Sequence, residues 1–64
     1  MKFLFIEGDE LYTTYLCQNP VSYYTFAELI YSNMLNQFVV NVKAQSLSME
    51  QINFIQFKLS ELNK

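Results

Sequence analysis

The order of hydrophobic and polar residues divides the first part of the chain into two predicted strands. Residues 3–6 are apolar at every position, which is typical of a strand in the centre of a sheet. The polar residues 7–10 then predict a turn, and residues 11–16 are rich in aromatic and β-branched side chains. We therefore expect a β-hairpin in which these two strands pair on either side of the turn.

A helix is the alternative for the second of these segments. Asp9 is an acceptable N-cap for it. The apolar stripe of such a helix would consist of Leu11, Tyr12, Tyr15 and Leu16. A tight turn at Gly8 and Asp9 would also place Glu7 opposite Glu10, which is unfavourable in a hairpin. The residues alone leave both the hairpin and the helix open for residues 9–17.

Asn19 and Pro20 predict the start of a further helix, because Asn suits an N-cap and Pro suits the first helical position. We expect this helix to run from residue 20 to about residue 35. Its apolar face would consist of Tyr23, Phe26, Ala27, Ile30, Tyr31 and Met34. Leu29 falls in the middle of the opposite, polar face, so an exposed leucine is predicted on this helix.

The last third of the chain gives clearer signals. Residues 37–45 alternate between two sets of side chains, one of them wholly apolar, which predicts a strand with one covered face. Ser48 and Gln51 have the spacing of a capping box, with apolar residues at both staple positions. A helix is therefore predicted over residues 49–62. Its inward positions are Ile52, Ile55, Leu59 and Leu62.

These elements predict one small α+β domain over residues 1–64, with the order ββαβα. The simplest arrangement is a two-layer sandwich with a three-stranded, mainly antiparallel sheet in the order 2-1-3 and two helices on one face. This arrangement places the doubly apolar first strand in the middle of the sheet. If residues 9–17 are helical, the order becomes βααβα.

Composition narrows the ways in which so small a domain reaches stability. Of the 64 residues, 52% are hydrophobic, eleven are Tyr or Phe, and the net charge is −2. A domain of this size hides only about 60% of its unfolded surface, and small domains usually add disulfides, a metal or a partner chain. Cys17 is the only cysteine and there is no His, so we expect no disulfide, no zinc site of the usual type and no cofactor. Association is the route that remains.

The residues that catalysis normally uses are scarce. Without His, the chain lacks the usual general base near neutral pH and the usual activator of a Ser or Cys nucleophile. Glu7, Asp9 and Glu10 form an acidic cluster that is most simply a solvated turn. As a weak Ca²⁺ site, the cluster would lack the regular oxygen ligands of a calcium loop. We therefore predict that the protein is not an enzyme and holds no metal.

Apolar side chains in polar surroundings are the main indication of function. Phe54 and Phe57 lie three residues apart on the last helix and project towards its charged side. With Leu29, they predict a partner-binding patch on the helical layer. The full predicted set is Phe54, Phe57, Leu29, Glu50, Lys58, Glu61 and Tyr24. The alternative is that the helix is rotated, or that the two Phe rings lie under the N-terminal segment.

These patterns favour a non-enzymatic protein–protein interaction module. It would be a homo-oligomer, most simply a dimer, or an inhibitor or adaptor that docks its aromatic helical surface on a larger protein. The alternative is a small dimeric nucleic-acid-binding or transcriptional regulator, although four separated Lys and no Arg argue against a phosphate-binding surface. A third hypothesis is an enzyme subunit whose partner supplies the catalytic groups.

Composition also bears on origin and location. Asn, Gln, Lys, Ile, Phe and Tyr are favoured and Arg is absent, as in AT-rich coding sequences, which are common in phages and other mobile elements. The apolar run at residues 3–6 is too short for a secretory signal, and no stretch approaches the roughly 18 apolar residues of a membrane span. We expect a soluble, cytoplasmic protein without membrane contact, acting in the host cell if a phage encodes it.

Overall fold

The computed structural model describes residues 2–64 as a four-stranded antiparallel sheet with one helix packed on one face. The elements are β1 (Leu4–Glu7), β2 (Thr14–Gln18), β3 (Thr25–Ser32), β4 (Gln37–Val42) and α1 (Met49–Leu62). Each strand pairs with the next one in the chain, so the sheet is a meander in the order β1-β2-β3-β4. The fold is α+β.

The predicted arrangement of three strands and two helices is wrong. The sheet has four strands, and residues 2–64 contain one helix. The sheet order 2-1-3 is also wrong, because hairpin connections place β3 beside β2 and leave β1 at an edge instead of the centre. The alternative order βααβα fails as well, since β2 is a strand.

Residues 20–35, predicted as a helix, instead form a turn, the strand β3 and the start of the next turn. The Asn19 carbonyl accepts a hydrogen bond from the Tyr23 N–H at 2.9 Å, and the Asn19 N–H donates to the Tyr24 carbonyl at 3.0 Å. Tyr23 adopts the left-handed conformation within this turn, with φ of 59°. The Asn-Pro pair therefore begins a hairpin turn and not a helix.

A β-bulge explains why β3 resembled a helix in the sequence. Cys17 pairs with Ala27 and Gln18 pairs with Thr25, which leaves Phe26 as the extra residue on β3. Phe26 and Ala27 are consequently both buried, although they are adjacent. This pair breaks the period of two that a regular strand would have shown.

The first hairpin and the last helix are confirmed. β1 pairs antiparallel with β2, although β2 begins at Thr14, later than predicted. The capping box is present, because the Gln51 N–H donates to the Ser48 hydroxyl at 3.1 Å and the Ser48 N–H donates to the Gln51 side-chain carbonyl at 2.8 Å. The strand predicted over residues 37–45 is present but ends at Val42, and α1 occupies the predicted residues 49–62.

The core lies between α1 and one face of the sheet. Its buried members are Cys17, Phe26, Ala27, Leu29 and Ile55. A connected row of aromatic rings extends from this core along the sheet, with centroids 5.1 to 6.3 Å apart. Its members are Phe26, Phe3, Phe54, Phe5, Tyr15, Phe38 and Tyr31. Ring pairs at these distances each add about 0.5–1.5 kcal/mol beyond the area they bury, so the row links the strands and α1 energetically.

Candidate interaction surfaces

Phe54 and Phe57, the predicted contact pair on α1, have different environments. Phe54 is half-buried, and its ring centroid lies 5.3 Å from that of Phe3 and 6.3 Å from that of Phe5. Phe57 is 61% exposed. The alternative in which the rings lie under the N-terminal segment therefore holds for Phe54, whereas Phe57 lies at the surface.

Lys58 organises the surface around Phe57. Its Nζ lies 5.0 Å from the ring centroid of Phe5, 5.8 Å from that of Phe54 and 5.7 Å from that of Phe57. The same Nζ lies 3.4 Å from a carboxylate oxygen of Glu61. Cation–π contacts at exposed sites contribute about 0.5–1 kcal/mol each. Phe57, Lys58 and Glu61 thus form a small ordered patch on the β1 side of α1.

The other predicted contact residues do not all join this patch. Leu29 lies on β3 and is fully buried, so its predicted position on an exposed helical face is wrong. Tyr24 lies in the turn before β3, where its hydroxyl donates to the Lys43 carbonyl at 3.3 Å. Glu50 is exposed in the first turn of α1.

A second surface lies on the opposite side of α1, where the helix leaves β4 partly uncovered. A groove of about 280 Å³ opens there between β4 and α1. Its walls are formed by Val40 and Val42 of β4, Ile52, Gln56 and Leu59 of α1, and Leu47 of the connecting segment. Val40 is 40% exposed and Val42 is 47% exposed. Among the described residues, none of the side chains that line the groove is charged.

The backbone of β4 is open beside this groove. In an antiparallel pair, backbone groups point alternately towards the partner strand and away from it. Phe38 points away from β3, because its N–H donates to the Asn63 side chain at 2.7 Å and its carbonyl accepts from the same amide at 3.0 Å. The alternation also directs the N–H and carbonyl groups of Val40 and Val42 outward, where no residue from 2–64 covers them as Asn63 covers Phe38. We call these open groups and the adjoining groove the β4 groove.

The sheet face away from α1 carries both apolar and polar side chains and is exposed to solvent. It carries the partly exposed apolar residues Leu4, Ile6, Leu16, Ile30 and Val39. Polar side chains of the same face lie beside them, namely Thr14, Gln18, Glu28, Ser32, Gln37 and Asn41. The Lys43 ammonium group lies 3.6 Å from the Glu28 carboxylate on this side of the sheet. Antiparallel sheets commonly have one such mixed face in water.

Two titratable groups outside these surfaces have shifted pKa values. The Asp9 carboxylate accepts hydrogen bonds from the Thr13 hydroxyl and from the N–H groups of Thr13 and Thr14, and these bonds lower its pKa below 3.8. Cys17 is fully buried, and burial raises the pKa of its thiol to about 11. Asp9 therefore organises the loop between β1 and β2, and Cys17 packs as a neutral thiol in the core.

The described residues offer no cluster of metal ligands. Among residues 2–64, no group of three or more Cys, Asp or Glu side chains lies close enough together to hold a metal ion. The same part of the chain contains no helix with the length and hydrophobicity needed to cross a membrane. The arrangement of these residues consists of packing surfaces and an open strand edge, to which another polypeptide can bind.

The β4 groove was missed at the level of sequence. The usable signal was the nearly uncharged alternation of residues 37–45. This signal predicts a binding edge only if the strand lies at the edge of the sheet, and the predicted order of strands was wrong.

No protein-family model matches the chain, and neither a curated protein nor a solved structure gives a match, so a functional assignment depends on the chain's own geometry.

Proposed function

We propose that the protein is a non-catalytic protein-binding module and that the β4 groove is its binding site. The observation that carries this proposal is the open backbone edge at Val40 and Val42 beside an uncharged groove. An extended segment added to such an edge gains main-chain hydrogen bonds, and its alternate side chains enter the adjoining pocket. Binding of this kind gives affinity and specificity without a catalytic group.

The size of the groove supports a polypeptide ligand. Binding sites for small molecules commonly measure about 300–1,000 Å³ and enclose most of the ligand. The β4 groove measures about 280 Å³ and is open along the sheet edge. Side chains at every second position of a paired strand would stand on the helix side of the sheet, between Val40 or Val42 and the α1 residues Ile52 and Leu59.

The distribution of charge favours a protein partner over a nucleic acid. Two of the four Lys side chains lie in ion pairs, Lys43 with Glu28 and Lys58 with Glu61. Phosphate binding needs several clustered cations, and pairing with carboxylates leaves fewer of them for that role.

The composition favours one version of this function. In this version, the protein is an inhibitor or adaptor that a phage or another mobile element encodes, and the protein acts in the cytoplasm of the host cell. This version rests on the absence of Arg and the abundance of Asn, Gln, Phe and Tyr.

Selection from a library of random peptides tests the proposal without knowledge of the partner. We expect the enriched peptides to carry apolar residues at alternate positions and to shift the NMR signals of Val40, Val42 and the α1 wall. Val40→Lys should weaken this binding by about tenfold or more, because it places a charge at the mouth of the groove. Val21→Lys, in an exposed turn, is the matched control and should leave binding unchanged. Absence of enrichment, or shifts confined to another face, would contradict the proposal.

A further inference from the structure

We propose that a second copy of this chain occupies the β4 groove, with the two β4 strands pairing antiparallel across a twofold axis. This inference rests on the proposed function, because it names the partner for the same site. The resulting dimer has one continuous eight-stranded sheet with both helices on the same face. The hydrogen-bonding pattern of the β4 edge is the observation that supports this dimer.

The contact between Asn63 and Phe38 fixes the register of this pairing. If Val40 lay opposite Val40 of the second copy, Phe38 would lie opposite Val42, yet the outward groups of Phe38 are already held by Asn63. If Val42 lay opposite Val42, Val40 would lie opposite Ala44, whose N–H already donates to a β3 carbonyl at 3.2 Å. With Val40 opposite Val42, every open group finds a partner, and four backbone hydrogen bonds form across the axis.

The side chains at this interface suit a second copy. On the helix side, Val40 of each copy meets Val42 of the other, which is a favourable β-branched pair. On the outer face, the uncharged Asn41 lies on the axis opposite Asn41 of the second copy. Lys43, at the end of the strand, stays in its own ion pair with Glu28, so the register opposes no like charges.

The edge at β1 is less suited to the same pairing. Its outward backbone groups belong to Phe5 and Glu7, because Leu4 and Ile6 point towards β2 in the observed register. Glu7 is exposed and charged, and charged side chains on an edge strand discourage pairing with another strand. The β4 edge carries no such charge between residues 37 and 42.

Preorganisation favours a second copy over a flexible peptide. The second copy presents a β4 strand that is already extended, so pairing orders little new backbone. A small interface of about 600 Å² per partner would take about one eighth of the 4641 Å² surface. A contact one strand and one groove wide belongs to this small class, so we expect a dissociation constant in the micromolar range.

Sedimentation of the wild-type chain and disulfide trapping test the dimer together. Asn41→Cys places a thiol on the twofold axis, where opposed Cα atoms of a non-hydrogen-bonded pair lie about 4.5 Å apart, within reach of a disulfide. Gln37→Cys is the matched control on the same face of the same strand, and the register separates its two copies by about 26 Å. Cys17 is fully buried and does not compete.

The wild-type chain is expected to pass from monomer to dimer between about 1 µM and about 500 µM. Mild oxidation should crosslink Asn41→Cys at least about tenfold faster than Gln37→Cys, with both variants folded by circular dichroism. A wild-type monomer over the whole range would overturn the dimer, and so would equal crosslinking of the two variants. A monomer that still binds the selected peptides would overturn the dimer alone and leave the proposed function standing.

Discussion

Replacing Asn63 by Ala removes the amide that covers the outer edge of β4 at Phe38. The Asn63 side chain accepts the Phe38 N–H at 2.7 Å and donates to the Phe38 carbonyl at 3.0 Å. A protein hydrogen bond contributes about 0.5–1.5 kcal/mol net, and Asn63 is exposed, so the freed groups regain water. We therefore expect the two bonds together to contribute about 1–1.5 kcal/mol. For a domain of this size, that loss lowers the Tm by about 4–12 °C.

Thermal unfolding and hydrogen exchange at low micromolar protein measure this effect with little contribution from self-association. The Phe38 amide should exchange faster in Asn63→Ala, whereas the Val39 amide, which faces β3, should stay protected. Asn33→Ala, in the exposed turn before β4, is the control and should cost less than about 0.5 kcal/mol. If Asn63→Ala changes neither the Tm nor the exchange of Phe38, Asn63 does not hold β4 and the register derived for the dimer loses its basis.

Three further predictions concern the core and the titratable groups. Phe54→Ala should lower the free energy of unfolding by about 2–3 kcal/mol, and Phe57→Ala should lower it by less than about 1 kcal/mol. Urea titrations measure both losses, and equal losses would contradict the different environments of the two rings. Cys17 should resist thiol reagents in the folded protein. The free energy of unfolding of the wild type, compared with that of Cys17→Ala, should fall as the pH rises from 9.0 towards about 11, because only the unfolded state then loses the thiol proton. If the difference in stability between the two proteins does not change with pH, the thiol is not buried. Asp9 has a lowered pKa, so its stabilising effect is complete above pH 3.8 and is lost as the pH falls below that value. Asp9→Asn should therefore flatten the acid side of the stability curve, and an unchanged slope would show that the hydrogen bonds from Thr13 do not form in solution.

The parts of the fold that could be predicted depend on residues close together in the sequence. The spacing of Ser48 and Gln51 located the start of α1, and both hydrogen bonds of the capping box are present. The strand β3 was mistaken for a helix because its burial pattern comes from a bulge opposite β2, which makes Phe26 and Ala27 adjacent and both buried. No pattern within residues 20–35 indicates that β2 lies beside them in the sheet. The position of Leu29 in an otherwise polar helical face was the local sign of this error.

The candidate site could be predicted only in part, for the same reason. The exposure of Phe57 follows from the charged residues that share its side of α1. The burial of Phe54 depends on Phe3 and Phe5, which lie some fifty residues earlier in the chain. The open edge of β4 depends on the order of strands and on Asn63, which acts on a strand 25 residues away. Neither of these contacts leaves a local pattern in the sequence.

Residue-specific hydrogen exchange at two protein concentrations tests the pairing of β4 most directly. The amides of Val40 and Val42 point outward and face solvent in the monomer, whereas in the dimer they donate across the twofold axis. We predict that raising the concentration from about 5 µM to about 500 µM slows their exchange severalfold and leaves the outward amides of Phe5 and Glu7 unchanged. Exchange at Val40 and Val42 that does not depend on concentration, or protection that develops at β1 instead, would contradict the proposal.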